Sequence, residues 1–227
     1  MIDGEIRLGD PGQDMNWLAW WLNALGAVLG LWVVFAPNPV LLMLTIAAPV
    51  LAIIRLGVRV DALDKADLSY SWIMPCLGLL LYGLHQELSD PFAAYPVVFL
   101  PALAHFAAVI WLDPAARRWT LAPVIAIVAF CWAWGGLVGI NVALDRSPAQ
   151  IVTAEVIEAE KVSRGGHQLT IRTTRGVDEI FHHVTVAKAL FDKHPQGMPI
   201  CLAFHDGALG WRHFAAIDCP AGAVSLN

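Results

Sequence analysis

From Trp17 to Ile140 apolar residues follow one another almost without relief, and from Asn141 onward the pattern changes to short polar–apolar alternations. A membrane-crossing helix needs roughly 20 predominantly apolar residues. Five segments approach that length: 17–36, 39–54, 70–88, 92–112 and 119–140. Pro37-Asn38-Pro39 separates the first two, because Pro39 halts one helix and can open the next, where its missing N–H is an orphan donor anyway. The second segment is short and carries Pro49, so a re-entrant hairpin with the first is its alternative reading. Pro49, Pro75, Pro101 and Pro123 put at least one proline in each of the last four segments, a common feature of membrane helices.

Beyond the apolar stretch the period is that of strands. In 151–162, Val152, Ala154 and Val156 fall on one side and Thr153 and Glu155 on the other. Ser163-Arg164-Gly165-Gly166 reads as a hairpin turn. Strands follow at 167–174 and 179–186, with a turn at Gly176 between them. A short helix then opens at Thr185 or Val186, packs Ala187, Leu190 and Phe191 inward, and stops before Pro195. Two more strands, 199–205 and 211–217, flank the turn at 206–210. Five short strands suit a small, curled antiparallel sheet. The expected fold class is therefore a membrane α-helical bundle of about five transmembrane helices, followed by a small all-β, barrel-like domain with one short helix. The domains are a tail at 1–16, the bundle at 17–140, a linker at 141–150, the β domain at 151–219 and a tail at 220–227.

Composition sharpens this picture. Of 227 residues 58% are hydrophobic and only 15% charged, against about 25% charged in soluble domains. The net charge of −5 and the absence of a basic stripe exclude nucleic acid as a partner. Asp3, Glu5, Asp10 and Asp14 against Arg7 make the start acidic, unlike a secretory signal. Arg7, Arg55, Arg59, Lys65, Arg117 and Arg118 all fall in segments that share one side of a five-span bundle, whereas 37–38 and 88–91 carry no basic residue. The positive-inside rule then puts the N-terminus in the cytoplasm and the β domain in the periplasm. Trp17, Trp20, Trp21, Trp72, Trp111 and Trp119 lie at the same ends, as an interfacial belt does.

Ionisable groups at membrane depth are costly and mark function. His105 and Cys76 lie at comparable depth in their spans and can meet; His85 and Glu87 sit near the outer end of the third span. No span carries a carboxylate at mid-depth, which argues against a pump and leaves a passive pore open. Gly26 with Gly30, and Gly135 with Gly139, form two GxxxG pairs that let helix backbones approach, within the chain or across a homo-oligomer face. No HExxH, GxSxG or facing pair of aspartates is present, so an enzyme is not expected. Asp61, Asp64 and Asp67 alternate with Arg59 and Lys65, the mixture of a solvated interfacial helix rather than a metal site.

Six of the eight histidines, 167, 182, 183, 194, 205 and 213, lie in the β domain. His182 and His183 would point to opposite faces of a strand, His205 and His213 would face one another across two strands, and no zinc spacing is matched. Neither metal nor cofactor is expected. Cys201 and Cys219 come close if the last two strands pair around the 206–210 turn. They form either a disulfide, which a periplasmic location permits, or two reduced thiols.

The run Asn141-Val142-Ala143-Leu144-Asp145-Arg146-Ser147-Pro148, the strands after it, and Ala189-Leu190-Phe191, Pro195 to Pro199 and Gly207-Ala208-Leu209-Gly210-Trp211 resemble a group of uncharacterised proteobacterial inner-membrane proteins. Their tail is similar to a small β domain of unknown function found in many bacterial membrane proteins. The resemblance covers mainly 141–217 and implies a bacterial plasma-membrane protein; it transfers no catalytic residue. The expected function is a non-enzymatic, membrane-anchored interaction or assembly module. The bilayer and a protein bound at the β domain are its expected partners. The alternative is a small transporter or channel component, with His105 and the proline-kinked helices lining a route.

Overall fold

The computed structural model describes residues 16–57, 69–112, 117, 119–162, 166–173 and 179–220. The tails at 1–15 and 221–227, the charges of the 58–68 connector, Arg118 and the turns at 163–165 and 174–178 lie outside the described residues. The chain forms two compact units. A helical unit takes the chain up to Leu84 and Tyr95–Gly139, and a β unit takes His85–Ala94 and everything from Ile140.

The helical unit contains α1 (Asn16–Phe35), α2 (Pro39–Gly57), α3 (Ser69–Leu84), α4 (Tyr95–Leu112) and most of α5 (Ala122–Ala143). Asn38 starts α2 by accepting the Leu41 N–H on its side chain at 2.8 Å. Thr45, buried in the same helix, returns its hydroxyl proton to the Leu41 carbonyl at 2.7 Å and so costs little inside an apolar unit. Glycines set the closest helix approaches. Gly30 of α1 lies against Met74 and Gly78 of α3, Gly135 of α5 against the Leu79 carbonyl of α3, and Gly139 beneath Leu42 and Tyr82.

The expectation of five membrane spans is corrected. Among the described residues two helices are long and apolar enough to cross a membrane, Pro91–Leu112 and Ala122–Ala143, at 22 residues each. In the other three helices the apolar stretches that are fully described, Trp20–Phe35, Pro39–Ile54 and Ser71–Leu84, run to 10–17 residues. At 1.5 Å per residue α3, with 16 residues, reaches about 24 Å, short of a hydrocarbon core of about 30 Å. Continuous apolarity in the sequence measured composition, and the helices interrupt it. Apolar side chains are nonetheless turned outward: Leu31, Phe35, Leu51, Leu100, Leu103 and Ile127 are each more than half exposed. Only 28% of the Pro91–Leu112 window is buried.

The third segment shows the interruption directly. Its helix stops at Leu84, not at residue 88, because His85-Gln86-Glu87 and Ser89-Asp90-Pro91 follow. Asp90 accepts the N–H groups of Phe92 and Ala93 and caps a 3-10 turn over Pro91–Ala94. Glu87 and Leu88 form a two-residue strand, β1, in the β unit. His85 and Glu87 thus belong to the β unit, whereas Cys76 and His105 belong to the helical unit.

In the β unit the remaining strands are β2 (Gln150–Val162), β3 (Gly166–Thr173), β4 (Ile180–Thr185), β5 (Pro199–His205) and β6 (His213–Ile217), with α6 (Lys188–Lys193) between β4 and β5. The sheet order is β1-β6-β5-β2-β3-β4, every neighbour antiparallel. The long β2 pairs β5 through its first half and β3 through its second, with a bulge between Val156 and Glu158. Ala154, Val156, Leu169, Ile171, Ile200 and Leu202 fill the interior, with the rings of Phe204, Phe214 and Phe181 packed among them at tilted angles. The two outer strands are bridged by a side chain: the Glu87 carboxylate accepts the Thr185 N–H at 3.1 Å and nearly closes the sheet. Burial pushes the Glu87 carboxyl up, while the Thr185 N–H and His85 pull it back. Glu87→Ala is expected to speed amide exchange at Thr185 and to cost about 1 kcal/mol, with Glu87→Gln near wild type because its amide oxygen still accepts.

His182 and His183 do not alternate. Both are exposed, their ring centroids 6.3 Å apart, because the β3–β4 register slips between Leu169 and Ile171 and His183 takes φ 57°. A bulge moves two successive side chains to the same side.

Candidate functional site

The densest polar network of the β unit joins the end of α5 and the following linker to the turn between β5 and β6. Asn141, in the last turn of α5, is fully buried. Its amide donates to the Trp211 carbonyl at 2.7 Å, and its side-chain oxygen accepts the Leu209 N–H at 2.9 Å and the Trp211 N–H at 3.3 Å. Its own carbonyl accepts the Ala208 N–H at 2.9 Å. One amide thus replaces a whole turn's missing backbone partners. Gly207, at φ 78°, lies so close that a Cβ there would meet the Asn141 amide.

Asp145 is the second hub. One oxygen accepts the Ser147 N–H at 2.8 Å; the other receives the Ser147 hydroxyl at 3.1 Å, the Gly207 N–H at 3.3 Å and the His213 Nε2–H at 3.1 Å. The Ser147 hydroxyl in turn accepts the Asp206 N–H at 3.0 Å. Burial raises the Asp145 carboxyl, but the bonds from Ser147, His213 and Gly207 outweigh it and hold it at about 2. An unfolded aspartate titrates near 3.8. This carboxylate therefore contributes stability in full above about pH 4 and loses it as pH falls toward 2. Acid unfolding followed by amide exchange is expected to show that limb in the wild type and to show it flattened in Asp145→Asn.

His205 and His213 are register partners on β5 and β6, with rings stacked at 5.2 Å and 8°. Burial pushes His213 down; the Asp145 bond opposes this and His205 adds to it. His205 Nδ1 stands 3.7 Å from the same Asp145 oxygen that His213 holds. Among the described residues no three histidine, cysteine, aspartate or glutamate side chains are placed to hold a metal ion.

At the far end of the same strands Cys201 and Cys219 are joined, with their Cα atoms 4.9 Å apart. Beside them His194 fills both ring nitrogens, against the Pro199 carbonyl and the Asp218 carboxylate at 2.7 Å each. Asp218 also meets Lys193 at 2.8 Å, and these bonds, His194 first, keep its carboxyl low.

In the helical unit His105 is 4% exposed and lies against two indoles. Trp72 Nε1–H donates to His105 Nε2 at 3.0 Å, and Trp132 donates to the Ile46 carbonyl at 3.0 Å. The imidazole meets Trp72, one helical turn before Cys76; Cys76 itself packs with Val128 and Cys131 and is a free, buried thiol. Gly30, Gly135 and Gly139 are spent on contacts inside the chain, and Gly26 is buried.

Asn141, Asp145 and Ser147 escaped sequence reasoning as site residues. Three short polar side chains after an apolar helix read as a linker, and only the spacing of the Gly207–Trp211 turn hinted at a counterpart. Compared with protein-family models, curated proteins and solved structures, the chain matches none.

Proposed function

We propose that the chain is a bacterial plasma-membrane protein whose β unit is a non-enzymatic interaction module carried on a helical hairpin. The observation that supports this most is the pairing of β1 with β6. β1 precedes α4 and β6 follows α5, so the chain crosses the membrane an even number of times between them. Pro91–Leu112 and Ala122–Ala143, the two helices of sufficient length, supply two crossings. Arg117 and Arg118 lie in the connector between these helices, which the positive-inside rule assigns to the cytoplasm. Both ends of the hairpin, and the β unit with them, then face the periplasm, where the Cys201–Cys219 disulfide persists. Trp111 and Trp119, strongly exposed at the connector end, suit the membrane interface.

Within the β unit the reactive-looking groups are committed to holding it together. Ser147 and His213 both bond Asp145 instead of each other, and His194 is fixed at both nitrogens. That favours a scaffold over a catalyst. The transporter alternative is weakened by the packing of His105 between two tryptophans.

Sidedness is tested by thiol labelling of intact cells with a membrane-impermeant maleimide. Cys201 and Cys219 are expected to stay unmodified until a reductant is added and then to react from outside. Labelling that requires permeabilised cells overturns the topology. Partner contact is tested by photo-crosslinking residues placed at Leu209 and Ile180, both exposed on the β unit, and at Leu100 on α4. Discrete protein adducts from the first two positions and not the third are expected; adducts confined to Leu100 overturn the module reading.

A further inference from the structure

We propose that His205, Asp145 and His213 form an acid-responsive latch, in which a first proton tightens and a second opens the clasp on the 206–211 turn. A single Asp145 oxygen stands between two imidazoles: 3.1 Å from His213 Nε2 and 3.7 Å from His205 Nδ1. The first contact is a hydrogen bond. The second is too long for one, but it places a ring nitrogen on a carboxylate. A proton on His205 Nδ1 turns that approach into a charge-assisted pairing, the stronger class of hydrogen bond. Asp145 then pairs with both imidazoles beside its bonds from Ser147 and Gly207, and the turn is held more firmly.

The second proton has nowhere favourable to go. Placed on His213 it sets two parallel cationic rings 5.2 Å apart around one carboxylate, in a partly buried setting. Like charges at such range disfavour the doubly charged state, so the pair titrates in two separated steps. The strain falls on the β5–β6 pairing at His205 and His213. Trp211, two residues before His213, is where Asn141 anchors the turn.

Other charges on the neighbouring elements do not relieve it. Arg146 beside Asp145 and Asp206 at the start of the turn are exposed. Arg212 lies over the Phe204 ring and donates to Gln150. On β1, Glu87 stands opposite Phe214 and is bonded to Thr185. Histidine is the side chain whose charge changes most readily near physiological pH. The latch operates whichever side of the membrane the β unit faces and whether or not a partner binds, so its failure leaves the proposed function standing.

The test uses the full chain in nanodiscs, with histidine-selective isotope labelling and amide exchange between pH 7 and 5. His205 and His213 are expected to titrate in two distinct steps. The Ala208, Leu209 and Trp211 amides should stay protected through the first and lose protection about tenfold at the second. In His205→Gln the His213 step should move up by about one pH unit, with no loss of turn protection. Coincident wild-type steps, an unmoved His213 step in His205→Gln, or protection unchanged across both steps would each overturn the latch. The wild-type titration alone decides the matter if the variant does not fold, as judged by β3 amide protection.

Discussion

Replacing Gly78 by valine is expected to abolish the folded helical unit. A Cβ on Gly78 would lie 2.6 Å from the Gly30 Cα, and one on Gly30 would lie 2.7 Å from the Met74 carbonyl carbon. These are backbone atoms of facing helices, so no rotamer change makes room. Overpacking against yielding side chains costs about 1 to 3 kcal/mol, and this clash belongs above that range. Gly136 is the control. Its nearest neighbour is the Ile46 side chain, Cγ1 at 3.4 Å and Cδ1 at 3.7 Å, so Gly136→Ala is expected to cost less than about 1 kcal/mol. Detergent-extracted protein compared by size-exclusion profile and thermal midpoint separates the two. Gly78→Val with a wild-type midpoint would show that α1 and α3 do not meet where the structure puts them.

The second large effect is expected at Asn141. Asn141→Ala leaves the Trp211 carbonyl and the Leu209 and Trp211 N–H groups without their partner in a buried setting. At about 1 to 3 kcal/mol for each unpaired group, with some recovery through water, the total is about 4 kcal/mol. Asn141→Asp is the more instructive change, because it keeps the volume and one acceptor but turns a second oxygen toward the Trp211 carbonyl. It should be nearly as damaging as alanine. Exchange of the Leu209 and Trp211 amides, with the thermal midpoint of the β unit, gives the readout. Asn141→Asp at wild-type stability would remove the amide donation from the account. Gly207→Ala is expected to act on the same network, since the new methyl meets the Asn141 amide at a positive φ.

The strands of the β unit were legible because their alternation is a local property that the tertiary fold has no reason to override. β2 buries Ala154 and Val156 and leaves Ile151 outside, as the period dictates. Cys201 and Cys219 were legible as neighbours for the same reason, once β5 and β6 were seen to flank one turn. The helical unit was legible in kind but not in number. Mean apolarity does not distinguish a helix of bilayer length from one that stops a turn or two short, and α3 stops at a histidine, a glutamine and a glutamate that look harmless in a hydropathy window. β1 was invisible because two residues carry no period. Its pairing is decided by β6, far away in the chain. The bulge at His183 reversed a prediction that was sound for a regular strand. The Asn141 and Asp145 hubs were missed because their partners are mostly backbone groups, which no residue pattern announces.

The β1–β6 pairing also dictates an order of events during synthesis. Leu88 leaves the ribosome well before His213, and Glu87 before both Phe214 and the Thr185 whose amide it holds. The helices between them must be made and placed before the first strand finds its neighbour. Contacts so distant in sequence are entropically expensive and form late. A nascent chain arrested before His213 therefore carries a Glu87-Leu88 segment whose sheet neighbour has not yet been made.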